Sequence, residues 1–452
     1  MNIIIAGEGK VGTALVRDLS AENYALTTID TNTKVLEDIA DKYDVFTVQG
    51  NCASMETLRK AGVERADLII AVTNADEVNL LCCLAAHQLN PNLHTIARIR
   101  NPEYTEQIYA MRDYFGLSMS INPERSAASE IERLLSLPGF LDRESFAKGR
   151  VEIVEIRVDE KNILDGVPLY KLNTIIKSRV LVCAVVREGN VIMPSGDFVL
   201  RPEDRIFVTA ATSELVSLLR SIGKIKKKVA SVLIAGGGRI SFYIAEALTK
   251  RGIYVKIIER DYDRALELAN KLPSVDIIEG DASAQDLLER ECISEFDAVV
   301  ALTGIDEMNA MIGMYANSID IPQVVTKISR MSENKLIDNL PIGSIVCPKE
   351  ICSNAIVRYV RAMKNQVGAA VSVHTIAAGQ AEAIEFVVDE STLHRGQMLR
   401  DIRTKDDVLI ASISHYGKVN IPSGDSTFDI GDTVVVVTKK ETVINQINDI
   451  FA

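Results

Sequence analysis

Residues 2–6 form a short apolar run that stops at a glycine, and from Val11 to Leu19 the apolar residues recur at helical spacing. Tyr24 to Asp30 then reads as a second strand, Val35 to Tyr43 as helix and Asp44 to Gln49 as strand. The pattern continues with helix over Met55 to Ala61, strand over Asp67 to Thr73, helix over Ala75 to Gln88 and strand over Thr95 to Arg98. These assignments follow from the switch between runs of period two and stripes of period 3.6. A closing helix begins after Asn122-Pro123-Glu124 and runs to about Leu137, where Pro138-Gly139 stops it. Strict alternation of strand and helix predicts a parallel sheet with right-handed crossovers and helices on both faces.

From Val151 the pattern changes. Val151 to Val158 alternates in a β-like way. Val180 to Val186, Val191-Ile192-Met193 and Asp204 to Thr209 follow as strands, with a turn at Glu188-Gly189-Asn190. Pro168 to Leu172 is a short helical patch and Ser213 to Ile222 a last helix. This is a small α+β module. Gly223-Lys224-Ile225-Lys226-Lys227-Lys228 comes next and reads as a solvated linker.

The pattern then restarts at Ser231. Gly7 and Gly236 lie 229 positions apart, as do Asp30 and Glu259. Thr73-Asn74-Ala75-Asp76-Glu77-Val78-Asn79 returns 230 positions on as Thr303-Gly304-Ile305-Asp306-Glu307-Met308-Asn309. Pro194-Ser195-Gly196-Asp197 returns 228 positions on as Pro422-Ser423-Gly424-Asp425. Spacing that drifts by only a residue or two marks a duplicated domain pair. The second small module shows its pattern from near Glu382, repeats the hairpin at His415-Tyr416-Gly417-Lys418 and repeats the last strand over Asp432 to Thr438. The expected fold class is α/β: two Rossmann-like doubly wound domains at 1–138 and 231–365, each followed by a small α+β domain at 139–222 and 366–452, with 223–230 as linker.

The net charge of −12 argues against nucleic acid, whose counterions only a positive face displaces. No stretch approaches the roughly 18 consecutive apolar residues that span a bilayer, and the N-terminus runs straight into strand with no secretory signal pattern. The seven cysteines are odd in number and show no CxxC, which predicts buried, reduced thiols in a cytosolic protein; Cys82-Cys83 sit in the apolar stretch from Leu80 to Leu84. The histidines do not cluster, so no metal spacing is present.

Gly7-x-Gly9-x-x-Gly12 follows a strand and opens a helix. In that context Gly7 allows the tight turn, Gly9 lets a pyrophosphate approach the backbone, and Gly12 lets the helix pack close to the sheet. The free N–H groups at the helix start then face the phosphates. Asp30, 18 residues after Gly12, ends the second strand where a carboxylate accepts from ribose hydroxyls. Lys10 is placed for phosphate pairing. Asn51 and its repeat partner Asp281 are candidates to read an adenine amine or a ribose. Thr73 and Asn74 end the fourth strand, and Arg98, closing the fifth, is a candidate to reach a phosphate. The second loop, Gly236-x-Gly238-x-x-Ser241, lacks the third glycine; Glu259 stands for Asp30, Arg239 for Lys10, Thr303 for Thr73 and Lys327 for Arg98. A second nucleotide site with altered preference is expected there.

Catalytic hardware is missing from the pattern. No tyrosine has a lysine four residues later, no GxxxxGK[ST] or GxSxG is present, and no catalytic residue can be named. The alternative, an NAD-dependent oxidoreductase with duplicated cofactor domains, needs an acid or base beside the nicotinamide. A nucleotide-binding scaffold without a membrane partner is a third reading.

The strand and loop Ile3 to Gly12, Ile29-Asp30, Gly50-Asn51, Asp67 to Thr73 and the small module ending in Pro-Ser-Gly-Asp resemble the TrkA family, the cytosolic regulatory subunits of Trk-type potassium uptake systems, and are similar to Ktr regulators and RCK gating domains. The resemblance covers the whole chain in tandem order. It implies NAD(H), or ATP, ADP and AMP, as ligands. It implies a ring assembly, as a homo-tetramer, on a TrkH-like integral-membrane potassium channel or transporter at the cytosolic face. It implies gating rather than chemistry. In family terms the phosphate loops fall on Gly7, Glu8, Gly9, Lys10 and Val11, and on Gly236, Gly237, Gly238, Arg239 and Ile240. The ribose acids fall on Asp30 and Glu259. The small modules would dimerise, and some relatives hold a second effector there. Asn51, where an aspartate is common, and Ser241 depart from the pattern.

Overall fold

The computed structural model describes residues 1–22, 24–136, 143–146, 151–160, 163–223, 229–330, 337, 340–363, 370–377, 379–415, 418–442, 444 and 446–452. The helix stop expected at Pro138-Gly139, the tip Tyr416-Gly417 of the second hairpin and linker residues 224–228 lie outside the described residues.

The first half runs β1 (Asn2–Ala6), α1 (Lys10–Ser20), β2 (Ala25–Asp30), α2 (Thr33–Ala40), β3 (Phe46–Gln49), α3 (Met55–Lys60), β4 (Leu68–Ala71), α4 (Asp76–Leu89), β5 (His94–Arg98), α5 (Pro102–Met111), β6 (Met119–Ile121) and α6 (Pro123–Ser136). Then come β7 (Arg143–Phe146), β8 (Val151–Arg157), α7 (Leu169–Ile176), β9 (Leu181–Arg187), β10 (Asn190–Ile192), β11 (Arg205–Ala210) and α8 (Thr212–Ser221). The second half repeats the first with β12 (Ser231–Ala235), α9 (Arg239–Lys250), β13 (Tyr254–Glu259), α10 (Tyr262–Lys271), β14 (Asp276–Glu279), α11 (Gln285–Arg290), β15 (Ala298–Ala301), α12 (Asp306–Ser318), β16 (Gln323–Lys327), β17 (Ser344–Val346) and α13 (Pro348–Met363). It closes with β18 (Ala370–Ile376), β19 (Ala381–Val387), β20 (Val408–His415), β21 (Lys418–Asn420) and β22 (Thr433–Lys439).

The fold class is as the pattern predicts. The first sheet is parallel in the order β3-β2-β1-β4-β5-β6, and its repeat runs β14-β13-β12-β15-β16-β17. Strand β1 is buried on both faces, which is why its apolar run is continuous rather than alternating. The strand order reverses between β1 and β4, and at such a switch point the loops leave the sheet in opposite directions and open a crevice at the strands' carboxyl ends.

The small modules form antiparallel sheets in the order β10-β9-β11-β8-β7 and β18-β19-β22-β20-β21. Helix α5 and strands β6, β7 and β18 are additional to the elements the pattern predicted. The three strands are short or lie at the margins of their sheets, where pairing to a neighbour rather than local patterning decides the state.

The chain divides into two compact units that cut across the repeat. One unit joins the two parallel-sheet domains (residues 1–133 and 230–357); the other joins the two small modules (134–229 and 358–452). In the first unit Arg17 on α1 donates to both oxygens of Glu350 on α13 at 3.3 and 2.7 Å, and Ser353 donates to Asp18 at 2.6 Å. Near Arg100, the Asn122 amide donates to the Tyr243 hydroxyl at 3.1 Å. In the second unit Phe146, Ile153 and Phe207 share one buried cluster with Ala383, Val435 and Val437, so the two sheets bury faces against each other.

Among the described residues no helix is long and apolar enough to cross a membrane. Five cysteines are buried as expected; Cys292 is exposed and Cys347 half-buried.

Candidate nucleotide-binding sites

The tight turn expected at Gly7 exists. Its φ is +97°, a conformation glycine adopts without the cost of a Cβ clash, and a Cβ there would sit 2.7 Å from the Thr73 nitrogen. The loop is bolted to the next strand by Gly7 N–H donating to the Ile29 carbonyl at 2.8 Å. Gly9 caps helix α1 with extended backbone and no side-chain cap, so N–H groups of the first turn have no intrahelical partner. A Cβ on Gly9 would meet nothing within 4 Å, which leaves the loop open to a ligand. A Cβ on Gly12 would lie 2.1 Å from the Gly7 carbonyl oxygen, so the helix can start this close to the strand only with glycine there.

Asp30 accepts from the Glu8 N–H and the Asn32 N–H, both at 2.8 Å. The carboxylate is thus held in one orientation at the cleft mouth before any ligand arrives. Gly7, Gly9, Asp30, Asn51, Cys52, Thr73 and Asn74 line a cavity of about 370 Å³. That is the size class of small-molecule pockets, and loop N–H groups and one oriented carboxylate are the donor and acceptor set a dinucleotide or adenine nucleotide needs.

Not every predicted residue stands on that wall. Val11 and Gly12 are buried behind the loop. Glu8 is 4% exposed, and neither of its carboxyl oxygens has a hydrogen-bond partner. Burial, reinforced by the Asp30 charge, pushes its pKa up to about 8. Arg98 is also buried. Its guanidinium donates to the Thr73 carbonyl and, at 3.4 Å, to the Asn74 amide oxygen. It braces the strand end from behind. Asn51 turns its amide oxygen to the Ala53 N–H at 3.0 Å.

Asn79 carries a role the sequence pattern did not assign. Fully buried on α4, it accepts from the Thr73 N–H (2.8 Å) and hydroxyl (2.7 Å), and its amide donates to the carbonyls of Thr73 (3.3 Å) and Arg98 (2.8 Å). Asn309 repeats the device, tying Thr303 to the Lys327 carbonyl at 3.0 Å. The recurrence of this asparagine in both halves was the available signal.

In the second site Gly236 has φ +100°. Glu259 accepts from the Gly237 N–H at 2.6 Å and the Asp261 N–H at 2.8 Å, so the longer acid keeps the oriented-carboxylate arrangement. Ser241 is fully buried and donates its hydroxyl to the Gly236 carbonyl. The missing third glycine is therefore accommodated by a hydrogen bond where Gly12 permits close contact. Gly237 stands where the first loop carries Glu8, and a Cβ on it would lie 2.5 Å from Leu268 and 2.9 Å from the Glu259 carboxylate. Asp281 accepts from the Ser283 N–H and hydroxyl, which hold its pKa below the usual carboxylate value.

The loop cations face across between the halves. Arg239 lines a cleft of about 780 Å³ together with Asn74, Arg100 and Tyr104 of the first half and Tyr243 and Arg264 of the second. Burial pushes the Lys327 ammonium down, and the positive charge of Lys10 adds to the shift.

The TrkA-N domain model matches residues 3–123 and 232–348, and the TrkA-C domain model matches 153–223 and 383–452. The chain belongs to the TrkA family. It is 32% identical over 451 residues to the Trk system potassium uptake protein TrkA homolog of Archaeoglobus fulgidus, covering all of both chains. It is 32% identical over 459 residues to the Trk system potassium uptake protein TrkA of Vibrio alginolyticus, covering all of this chain and 98% of that one. Among solved structures, the GsuK RCK domain aligns with TM-score 0.61 and 16% identity over 97% of this chain and 92% of that one. The GsuK channel bound to NAD aligns with TM-score 0.61 and 16% identity over 97% of this chain and 77% of that one. At that identity the likeness establishes the shared RCK fold. The TrkA-family assignment therefore agrees with the resemblance carried by the glycine loops, and the tandem N, C, N, C order agrees as well.

Proposed function

We propose that this TrkA-family chain is a nucleotide-sensing regulatory subunit of a membrane potassium uptake system, acting at the cytosolic face. The observation that carries the reading is the duplicated glycine loop with its carboxylate. Each half presents an open glycine loop and a carboxylate already oriented by loop N–H groups. NAD(H) or an adenine nucleotide binds the first cleft through its phosphates on the α1 N-terminus and its ribose on Asp30; Glu259 serves the second. The potassium uptake named for its relatives and the NAD-bound and ADP-bound forms of the GsuK channel support the choice of partner and ligand.

The chain assembles as a ring of four copies, presenting eight parallel-sheet domains to a TrkH-like channel subunit. A ligand shifts the ring only by its difference in affinity for two arrangements, and about 1.4 kcal/mol changes their ratio tenfold. Arg239 and Lys10, facing the opposite half, are placed to couple a bound phosphate to the angle between the paired domains.

The test is a binding titration of the full chain with NADH, NAD, ATP, ADP and AMP, repeated on Asp30→Ala and Glu259→Ala, with NADH absorbance followed. Saturable binding without turnover, one class of site lost in each variant, is expected. Absence of binding refutes the sensor, and consumption of NADH in the presence of carbonyl substrates favours the oxidoreductase reading instead.

A further inference from the structure

The first nucleotide cavity does not end within its own half. Asn74 and Ala75 line both the cavity of about 370 Å³ that holds Asp30 and the cleft of about 780 Å³ that reaches the second half. The smaller cavity is near the low end for ligand pockets, roughly 300–1,000 Å³, and suits one nucleotide better than two linked ones. A dinucleotide on such a sheet lies across the carboxyl ends of the strands, over the point where the strand order reverses. With one ribose on Asp30 at the end of β2 and the pyrophosphate on the loop after β1, the second nucleoside lies toward β4 and β5. Asn74 and Ala75 follow β4 and Arg100 follows β5, so that direction leads into the larger cleft.

The second half builds the far wall of the larger cleft from α9 and α10. Phe242 and Tyr243, near the start of α9, pack edge to face with ring centroids 5.8 Å apart. The Tyr243 ring is held in place by its hydroxyl, which accepts from the Asn122 amide at 3.1 Å and donates to the Arg100 carbonyl at 3.3 Å. Tyr104 adds a ring from the first half, its hydroxyl donating to Glu77 at 2.7 Å. Charge nearly cancels: four acidic and four cationic side chains line the cleft, and Glu267 already pairs with Arg264 at 2.5 Å and with Lys271 at 2.9 Å. Such walls favour a flat nucleoside ring and offer little to a polyphosphate tail.

The repeat supplies the comparison. At the spacing of 229, Lys10, Thr13, Ala14 and Val35 stand for Arg239, Phe242, Tyr243 and Arg264. Neither ring of α9 has an aromatic counterpart on α1, so the first half offers the second site no matching surface.

We propose, on the strength of the nucleotide reading above, that the first site is a dinucleotide site shared by both halves, whose second nucleoside packs on Phe242 and Tyr243, and that the second site reads a single nucleotide. NAD(H) in the first site then bridges the paired domains, whereas AMP fills only the cavity of the first half. The dinucleotide alone ties α9 to the strand ends of the first sheet.

The experiment uses the full-length chain carrying Glu259→Ala, which leaves the first site to bind. NADH and AMP are titrated, amide hydrogen exchange of α9 is followed with each at saturation, and both titrations are repeated with Phe242→Ala added. NADH is expected to bind about tenfold more tightly than AMP, the scale of one aromatic contact with a base. NADH slows exchange at the start of α9 and AMP does not. Phe242→Ala lowers NADH affinity about tenfold and leaves AMP affinity unchanged, which also reports that the variant is folded. In Asp30→Ala, which keeps the second site, the two ligands bind alike. Unchanged α9 exchange with NADH bound overturns the proposal while the nucleotide reading stands. So does a Phe242→Ala protein of wild-type circular dichroism that loses affinity for both ligands equally. If Phe242→Ala does not fold, the α9 exchange, read without that substitution, decides by itself. Absence of binding by either ligand refutes the nucleotide reading and this proposal with it.

Discussion

Glu8 is a buried acid in a loop built for phosphates, and its titration has a calculable effect. Its ordinary value is 4.5 and burial beside Asp30 raises it to about 8 in the folded protein. Between those values the folded state keeps the proton and the unfolded state has released it, so folding takes up a proton and stability falls as pH rises. Below pH 4.5 Glu8 contributes no penalty. At about 1.4 kcal/mol per pH unit, the cost reaches about 3 kcal/mol at pH 7 and levels off at about 5 kcal/mol above pH 8. Glu8→Gln keeps the shape and removes the titration. Urea unfolding of both proteins at pH 5, 7 and 9 reads the difference in midpoint for the transition that includes the first parallel-sheet domain. The variant gains on the wild type by roughly 3–5 kcal/mol between the lowest and highest pH. Nucleotide affinity at the first site falls above pH 8 in the wild type and stays level in Glu8→Gln, because the ionised carboxylate repels phosphate. Parallel pH dependences for the two proteins refute the reasoning.

Gly9→Ala leaves the melting temperature within a degree or two, since its Cβ meets no protein atom within 4 Å, yet weakens nucleotide binding at the first site at least tenfold by filling the ligand's path. Gly7→Ala does the opposite at the fold level: with φ at +97° and a Cβ 2.7 Å from the Thr73 nitrogen, it costs about 3 kcal/mol or more in unfolding free energy. Asn79→Leu leaves the Thr73 N–H and the Arg98 carbonyl without the asparagine and costs about 2–4 kcal/mol, read by denaturant unfolding. Tyr243→Phe removes a hydroxyl that bonds Asn122 and the Arg100 carbonyl across the paired domains. Hydrogen exchange rises in α6 and α9 while strand β1 stays protected.

Much of this protein is written locally. The central strands are continuous apolar runs because both faces are covered, the helices carry their stripes, and the glycine loops require their residues within a few positions of one another. Those are short-range constraints, and a repeat of about 230 residues states each of them twice. Strands β6, β7 and β18 escaped the pattern because marginal strands take their state from a neighbour's ladder. Arg98 reads from the sequence only as a cation at a strand end; the tertiary structure shows its guanidinium donating to the Thr73 carbonyl.

The tertiary structure alone decided two things. It placed Glu8 beneath its loop with no partner, since burial depends on what packs above a residue. It paired like domains across the repeat, through contacts such as Arg17 with Glu350, more than 300 positions apart. The sequence determined the modules, because secondary structure and loop geometry are set by neighbours along the chain. Only folding could choose the partners, because complementarity between surfaces arises from residues that the chain order keeps far apart.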